Sequence, residues 1–323
     1  DTEDLHFLRK TRHQQLKNGE EFTTEALLKS NDTKREIAAI LRCDLSLIIS
    51  TYEMDLLKSV FKIDERILYY LPFLLNKVEE HQPKKWQSFE ERKHFVFIGN
   101  FFHKPNVDAV LTLKNEIWKT IRKQLPNVEI HIYGAYANQQ INQLHNKKEG
   151  FIIKGFAENA NEVVENAKIV LAPLRFGAGI KGKLTEAMLC GTPSVTTNIG
   201  AEGMHKNLAW NGFVEDDFAK FSEKAVQLYT DKKNWEIAQK NGIEIINGIY
   251  DKDPMKHDDA VKFEYGAIAS FSYSGNQYFS MASGISEGFT EVDPKFSFGT
   301  GIESAKIQSN SGAIDAATGS YSL

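Results

Sequence analysis

Apolar and polar positions change their period several times along the chain. From Arg35 to Asp44, "REIAAILRCD" spaces apolar residues at helical intervals, and "LSLIIS" follows as an unbroken apolar run of strand length. Runs without alternation suit a strand covered on both faces, as in a parallel sheet. In the next stretch, "STYEMDLLKSVF", Ser50 and Glu53 stand at the spacing of a capping box, so a helix is expected directly after the strand. "RILYYLPFLL" reads as a second strand ending near Pro72, and the polar "NKVEEHQPKKWQSFEERKH" as a linker or domain boundary.

From His94 the pattern becomes regular. "HFVFIGN" is an expected strand, and Pro105 with Asn106 as capping side chain opens a long amphipathic helix, "NVDAVLTLKNEIWKTIRKQL". Then come "VEIHIYG" (strand), "QQINQLHNKK" (weak helix), "GFIIKGF" (strand), "NANEVVENA" (helix), "KIVLAPL" (strand), "KLTEAMLC" (helix) and "PSVTT" (strand). Alternation at these spacings predicts βαβ units in a doubly wound parallel sheet. Two long helices, "DDFAKFSEKAVQLYT" and "KKNWEIAQKNGIEIINGIY", close the unit. After residue 257 the chain turns Ser- and Gly-rich, with alternating small, polar and aromatic residues around Gly275-Asn276. That pattern predicts β-hairpins, with a low-complexity segment as the alternative. No internal repeat is evident.

Composition narrows this only moderately. The chain has 323 residues, 41% hydrophobic and 25% charged, with a net charge of −4, values of an ordinary soluble protein of about two domains. No basic stripe points to nucleic acid. No apolar run approaches the roughly 20 residues of a membrane span. The opening "DTEDLHFLRK" does not look like a signal peptide. Cys43 and Cys190 are expected as two buried free thiols in a reducing compartment, and a cytoplasmic location follows as the default.

The chemistry concentrates in "RFGAGIKGKLTEAMLCGTPSVTTNIGAEG", Arg175 to Gly203. In an open α/β sheet, ligands bind beyond the carboxyl ends of the strands, where this loop is expected. Gly177, Gly179 and Gly182 allow backbone N–H groups to face a ligand. A helix starting near Lys183 directs its positive end into the same space. Lys181 and Lys183 add cationic side chains, so the segment suits a phosphate or diphosphate. Glu186, one turn into the helix, suits ribose hydroxyls, and phosphate with ribose means nucleotide. The alternative is a solvated, lysine-bearing loop with a surface glutamate.

These residues resemble the donor-binding core of family 4 glycosyltransferases of GT-B fold. "FIGNFFHKPNVDAV" is similar to the family's first C-domain strand, glycine turn and helix. "EIHIYGAY" resembles the second strand with its glycine, Gly134, and "FIIKGFAENANEVVENAKIVLAPLRFGAGIKGKLTEAMLCGTPSVTT" the family's most diagnostic run. "WNGFVEDDFAKFSEKAVQLYTDKKNWEIAQKNG" resembles the C-terminal helices, and "REIAAILRCDLSLIISTYEMDLL" the end of the N-domain. The resemblance implies a retaining, metal-independent hexosyltransferase that takes a nucleotide-diphosphate sugar and has no cofactor beyond that donor. It implies a role in making a polysaccharide or glycoconjugate, with a glycan, lipid or protein acceptor. It assigns Lys181 and Lys183 to the diphosphate, Gly99 and Asn100 to backbone contact with it, and Glu186 to the ribose. Gly134 and Gly179 belong to the same donor loops. Arg175 either reaches the donor or packs under the loop. Lys181, Glu186 and His6 are the catalytic candidates, though His6 also reads as an ordinary helix-start histidine; Asp4 and His6 fit a cleft loop.

The chain departs from the family in two places. The first glutamate of the paired motif, eight positions before Glu186, is Ala178 here. Much of an N-domain is expected to be missing ahead of "DTEDLHFLR". The expected organisation is a partial N-terminal Rossmann-like domain (1–82), a complete C-terminal nucleotide-sugar domain (83–257) and a β-rich tail (258–323). The tail is a candidate for self-association. A non-catalytic nucleotide-sugar-binding or assembly module is the alternative to the enzyme, and a nucleotide-sugar epimerase of the same fold a third reading.

Overall fold

The structure, a computed structural model, describes residues 3–252 and, beyond them, strand segments at 261–262, 267–274, 276–283, 306–309 and 312–315. The β-rich appendage expected over 258–323 otherwise lies outside the described residues. Residues 1–73 and 77–250 form one compact unit, and 74–76 group with 251–323.

The unit begins with α1 (His6–Asn18), α2 (Thr24–Lys29) and α3 (Asn31–Ile40), then β1 (Ser46–Ile48), α4 (Thr51–Ser59) and β2 (Leu68–Tyr70). β1 and β2 pair in parallel, Ser46 opposite Leu68. Leu5, Phe7, Leu8, Ile48, Leu57 and Leu68 are buried in one cluster between these helices and strands. Leu5, at the cap of α1, offers no capping side chain. The Glu36 carboxylate of α3 replaces it, accepting from His6 N at 3.0 Å and Phe7 N at 2.8 Å.

The capping box expected from Ser50 and Glu53 does not form. Ser50 precedes α4 without a side-chain cap bond, and Glu53 is fully buried with its carboxylate turned away from the helix start. Two backbone N–H groups from elsewhere in the chain compete better for it, as described below.

The second half holds β3 (Phe95–Ile98), α5 (Lys104–Thr112), α6 (Trp118–Gln124), β4 (Ile130–Tyr133), α7 (Gln139–Asn142), β5 (Phe151–Gly155), α8 (Ala160–Asn166), β6 (Ile169–Ala172), α9 (Gly182–Leu189), β7 (Ser194–Thr196), α10 (Asn198–Ala201), β8 (Gly212–Val214), α11 (Phe218–Thr230) and α12 (Lys232–Ile245). The six strands form one parallel sheet in the order β5-β4-β3-β6-β7-β8. That is the Rossmann-like order, whose direction reverses between β3 and β6. "FVFI" and "IVLA" are buried at every position because helices cover both faces. β8 was not expected; "GFV" begins on a glycine, belongs to no longer apolar run, and forms only against β7.

The long expected helix is present with a π turn, Leu113–Ile117, joining α5 to α6. Leu113, Ile117, Trp118 and Ile121 are all buried, so the extra residue keeps one apolar face on the sheet. Asn106 is not its cap. α5 starts at Lys104 after His103, and the Asn106 side chain points to the loop after β3. Both cysteines are free; Cys190 is buried as expected, but Cys43 is exposed, just past the end of α3. Among the described residues no helix is long and apolar enough to cross a membrane.

Arg92 locks the domain's lower layer. Its guanidinium is 1% exposed and donates to Thr192 Oγ1 at 2.5 Å, Cys190 O at 3.1 Å and Ala167 O at 3.3 Å. Burial pulls its pKa down to about 10, so it remains charged at neutral pH. Arg92→Ala is expected to cost about 3 kcal/mol in denaturant unfolding, because it opens a cavity and strips buried acceptors. Arg92→Lys should recover less than half of that, since one ammonium cannot reach three divergent acceptors.

Candidate functional site

The site is built where the sheet reverses direction. Loops after β3 (Gly99–His103) and β6 (Pro173–Lys181) flank that point, and α9 begins immediately after the second. No side chain caps α9, and the N–H groups of Gly182 and Lys183 take no partner among the described residues. Unpaired amides and the helix dipole give this end a positive potential.

Two lysines flank it. They are two residues apart at a helix start, so their side chains leave about 200° apart. Lys183 turns toward the β3 loop, where Nζ donates to Asn106 Oδ1 at 2.5 Å and lies 4.2 Å from the Phe97 ring centre. Asn106 Nδ2 in turn donates to Asn100 O at 2.7 Å, fixing the amide's orientation. A side chain at Gly99 would meet Lys183 Nζ at 2.8 Å. Lys183, Asn106, Asn100 and Gly99 therefore form one cluster. Gly134 lies beneath it, where an added Cβ would come 2.1 Å from Gly99 O; its role is close packing under the loop.

Lys181 is only 8% exposed and turns the other way, with Nζ donating to Gly179 O at 2.7 Å. Burial pulls the Lys181 ammonium down to about 8, with Glu202 opposing the shift. Lys183 is pulled down to about 7 by burial, against the nearby Glu186 carboxylate. Glu186 is itself raised above the usual carboxylate range by burial, with Lys183 opposing. The two lysines and Glu186 thus share the start of one helix. Neither lysine has a carboxylate salt-bridge partner among the described residues.

The remaining expected residues are placed differently. Arg175 forms a bidentate ion pair with Asp108 of α5, Nε to Oδ2 at 2.9 Å, which raises its pKa through that hydrogen bond. His6 is exposed, with Nε2 at 3.2 Å from Asp4 Oδ1, and contacts none of Lys181, Lys183 or Glu186 among the described residues. It lines an open depression with Lys10, Asp32, Arg35 and Glu36, on the face of α1 and α3.

Several residues that hold the site were not anticipated. Arg12 of α1, 5% exposed, bonds Glu202 bidentately at 2.7 and 2.8 Å and Gly177 O at 2.9 Å. His13, one residue on, stacks on Phe176 with centroids 4.4 Å apart. Glu53 Oε1 accepts from Gly179 N at 2.8 Å and from Leu5 N at 3.0 Å. Burial pushes its carboxyl up to about 7, against those two bonds. A buried Arg–carboxylate pair is expensive to break from one side. Arg12→Ala is expected to lower stability by about 3 kcal/mol, and Arg12→Ala with Glu202→Ala to cost clearly less than the sum of the single changes. Additive losses in a double-mutant cycle would remove the coupling.

Comparison with known proteins gives this geometry a context. Residues 92–231 match the family described as glycosyl transferases, group 1. A protein of Klebsiella pneumoniae described as an uncharacterized 44.6 kDa protein in the cps region is 25% identical over 154 residues, 45% of this chain and 39% of that protein. TarM of S. aureus, solved with fondaparinux, alpha-GlcNAc-glycerol and UDP, superposes with a TM-score of 0.57 at 17% identity, covering 70% of this chain and 45% of TarM. The pneumococcal O-GlcNAc transferase GtfA, solved with UDP and GlcNAc, gives 0.54 at 14% identity, covering 70% of this chain and 46% of GtfA. HepE of Anabaena, solved with UDP and glucose, gives 0.52 at 13% identity, covering 70% of this chain and 65% of HepE. The chain thus spans less than half the length of the curated relative and of TarM and GtfA. The structural likeness establishes a GT-B-like, Rossmann-like α/β fold.

Proposed function

We propose that this chain, a group 1 glycosyl transferase over its residues 92–231, binds a nucleotide-diphosphate sugar at the start of α9 and transfers the sugar with retention to an acceptor hydroxyl. One observation carries the reading: the unpaired amides at the start of α9 lie at the sheet's switch point with a buried or half-buried ammonium group on either side, Lys183 toward the β3 loop and Lys181 toward α1 and α4, and with Glu186 one turn deeper. As the bond from the anomeric carbon to the diphosphate breaks, its electron pair stays on the diphosphate. The acceptor oxygen bonds the anomeric carbon and gives up its proton. Positive charge fixed in advance where that negative charge develops lowers the barrier.

Lys181 and Lys183 take the diphosphate in this scheme, the β3 loop at Gly99 and Asn100 lies against it, and Glu186 accepts from ribose hydroxyls. Arg175, paired with Asp108, ties the loop after β6 to α5 at the surface. Uridine is the favoured base, because TarM, GtfA and HepE were all solved with UDP. The relative from a cps region favours a polysaccharide or glycoconjugate product. One observation favours the second reading, a binding module without transferase activity. Ala178 stands where the family motif carries its first glutamate, and it packs against the apolar cluster of Leu5, Phe7 and Ile48.

Calorimetric titration with UDP, GDP and ADP tests the reading. UDP is expected to bind, and Lys181→Ala to weaken it about tenfold or more while changing uridine affinity little, as expected for loss of a charge-assisted bond. Glu186→Ala should weaken uridine and UDP alike. Unchanged UDP affinity in Lys181→Ala would sink the diphosphate role. Hydrolysis of the donor sugar, or its absence in a chain that binds UDP, separates enzyme from binding module.

The lysines also predict a proton linkage. In the free site Lys183 and Lys181 lose their protons near pH 7 and 8, as the values of about 7 and about 8 imply. A bound diphosphate favours the ammonium forms and raises both values. Binding near pH 8 should therefore take up protons, and affinity should fall as pH rises further. Titrations in buffers of different ionisation enthalpy read the uptake directly; none at that pH would contradict lysine–phosphate contact.

A further inference from the structure

Glu53 is a fully buried carboxylate in the first turn of α4, yet it serves neither that helix nor a cation salt bridge. Its Oε1 bridges two segments that are far apart in sequence, taking Leu5 N at 3.0 Å and Gly179 N at 2.8 Å. Gly179 has a left-handed backbone, φ +64, and an added Cβ would come 2.7 Å from Glu3 O and 2.9 Å from Asp4 Cβ. The segment Glu3–Leu5 therefore lies directly on this turn of the loop. The Gly179 carbonyl accepts from Lys181 Nζ at 2.7 Å. Both polar groups of Gly179 are thus engaged, the N–H by Glu53 and the C=O by Lys181. Upstream, the Gly177 carbonyl is taken by Arg12 at 2.9 Å. The loop's conformation is set largely from outside, by α1 and α4.

We propose that Glu53 is a positioning residue for the diphosphate: by fixing Gly179 it sets the approach of Lys181 to the ligand and couples that approach to the segment Asp4–Leu5. The proposal rests on the donor site described above. Lys181 leaves the chain two residues after Gly179, so a rotation at this glycine swings the base of the lysine side chain and the first turn of α9 together. Glycine has no steric preference to hold φ +64 by itself, and the Glu53 hydrogen bond supplies the restraint. Glu53 Oε2 is buried without a hydrogen-bond partner, and so is Asp4 Oδ1, which has only the off-axis His6 ring near it. The positioning role needs an acceptor at this place, which glutamine also supplies. Glu53→Gln keeps an oxygen for both N–H groups, whereas Glu53→Ala removes it, and Glu53→Asp keeps the charge while withdrawing the oxygen by one methylene.

The experiment is amide hydrogen exchange of the unliganded full chain, paired with titration of UDP and uridine. In Glu53→Ala, exchange in 177–183 should rise about tenfold or more, with α11 and α12 unchanged, and UDP should weaken by a similar factor, the size expected for one charge-assisted bond. Uridine affinity should hold within about twofold, since the ribose contact lies deeper on α9. Glu53→Gln should restore both properties and Glu53→Asp should not; these two variants decide the matter if Glu53→Ala fails to fold. Unchanged exchange in 177–183, with UDP bound normally by the wild-type chain, overturns the proposal alone. Equal loss of UDP and uridine without rescue by Glu53→Gln also overturns it, as general destabilisation. Failure of the wild-type chain to bind UDP overturns the donor reading first, and this role with it.

Discussion

Everything in the site depends on two ammonium groups held away from water without carboxylate partners. Lys181 rests on the carbonyl of Gly179 and Lys183 on the amide oxygen of Asn106. Neutral acceptors compensate less of the lost hydration than a carboxylate would, so burial drags both pKa values toward neutrality. The positive end of α9 adds to the same imbalance rather than relieving it. Such an arrangement is poorly satisfied when empty and well satisfied by a polyanion. A polyanion at this place would meet helix amides already aimed at it and would favour the ammonium forms of both lysines.

The sheet explains how these groups meet. Because strand order reverses between β3 and β6, their following loops diverge to opposite faces and leave a crevice between them. Lys183 reaches the β3 side of that crevice, and Lys181 the side built by α1 and α4. One helix start therefore reports to two bodies of structure. Arg12, His13 and Glu53 reach the loop after β6 from sequence positions more than a hundred residues away. The shape of the loop after β6 is in this sense a tertiary property, carried by side chains of α1 and α4.

That division also explains what could be read from the sequence. Apolar runs marked five of the six sheet strands: β3 and β6, buried at every position, leave an unbroken apolar signature, and β4 an alternating one. β8 left none; it is as short as β7 but begins on a glycine, lacks the β-branched run of "SVT", and is only half-buried. Lys181, Lys183 and Glu186 were legible because they lie within one short segment whose glycines and helix start are local features. Arg12, Glu53 and Glu202 were not, because their partners are set only when the chain folds back. Glu53 shows the failure in detail: the Ser50–Glu53 spacing is right for a capping box, but the fold brings two amides, those of Leu5 and Gly179, onto the same carboxylate oxygen. Asn106 fails in the same way, giving up its cap for Asn100 and Lys183.

Ala178 ties these points together. A glutamate at that position would start from a half-buried backbone site packed against the apolar cluster that includes Leu5, Phe7 and Ile48, and would lose part of its hydration there. Alanine lets the apolar cluster close over the loop, and the nearest buried carboxylate then comes from α4, as Glu53. The carboxylate at this loop thus belongs to its support, not to the loop itself. A side chain on the loop could bond a sugar hydroxyl directly; one beneath it can only govern the backbone that carries Lys181. Restoring the loop carboxylate alone, as Ala178→Glu, would place two like charges around Gly179 in a dry pocket. Their repulsion would act first on the contact of Gly179 with Asp4–Leu5, which Glu53 holds from the other side.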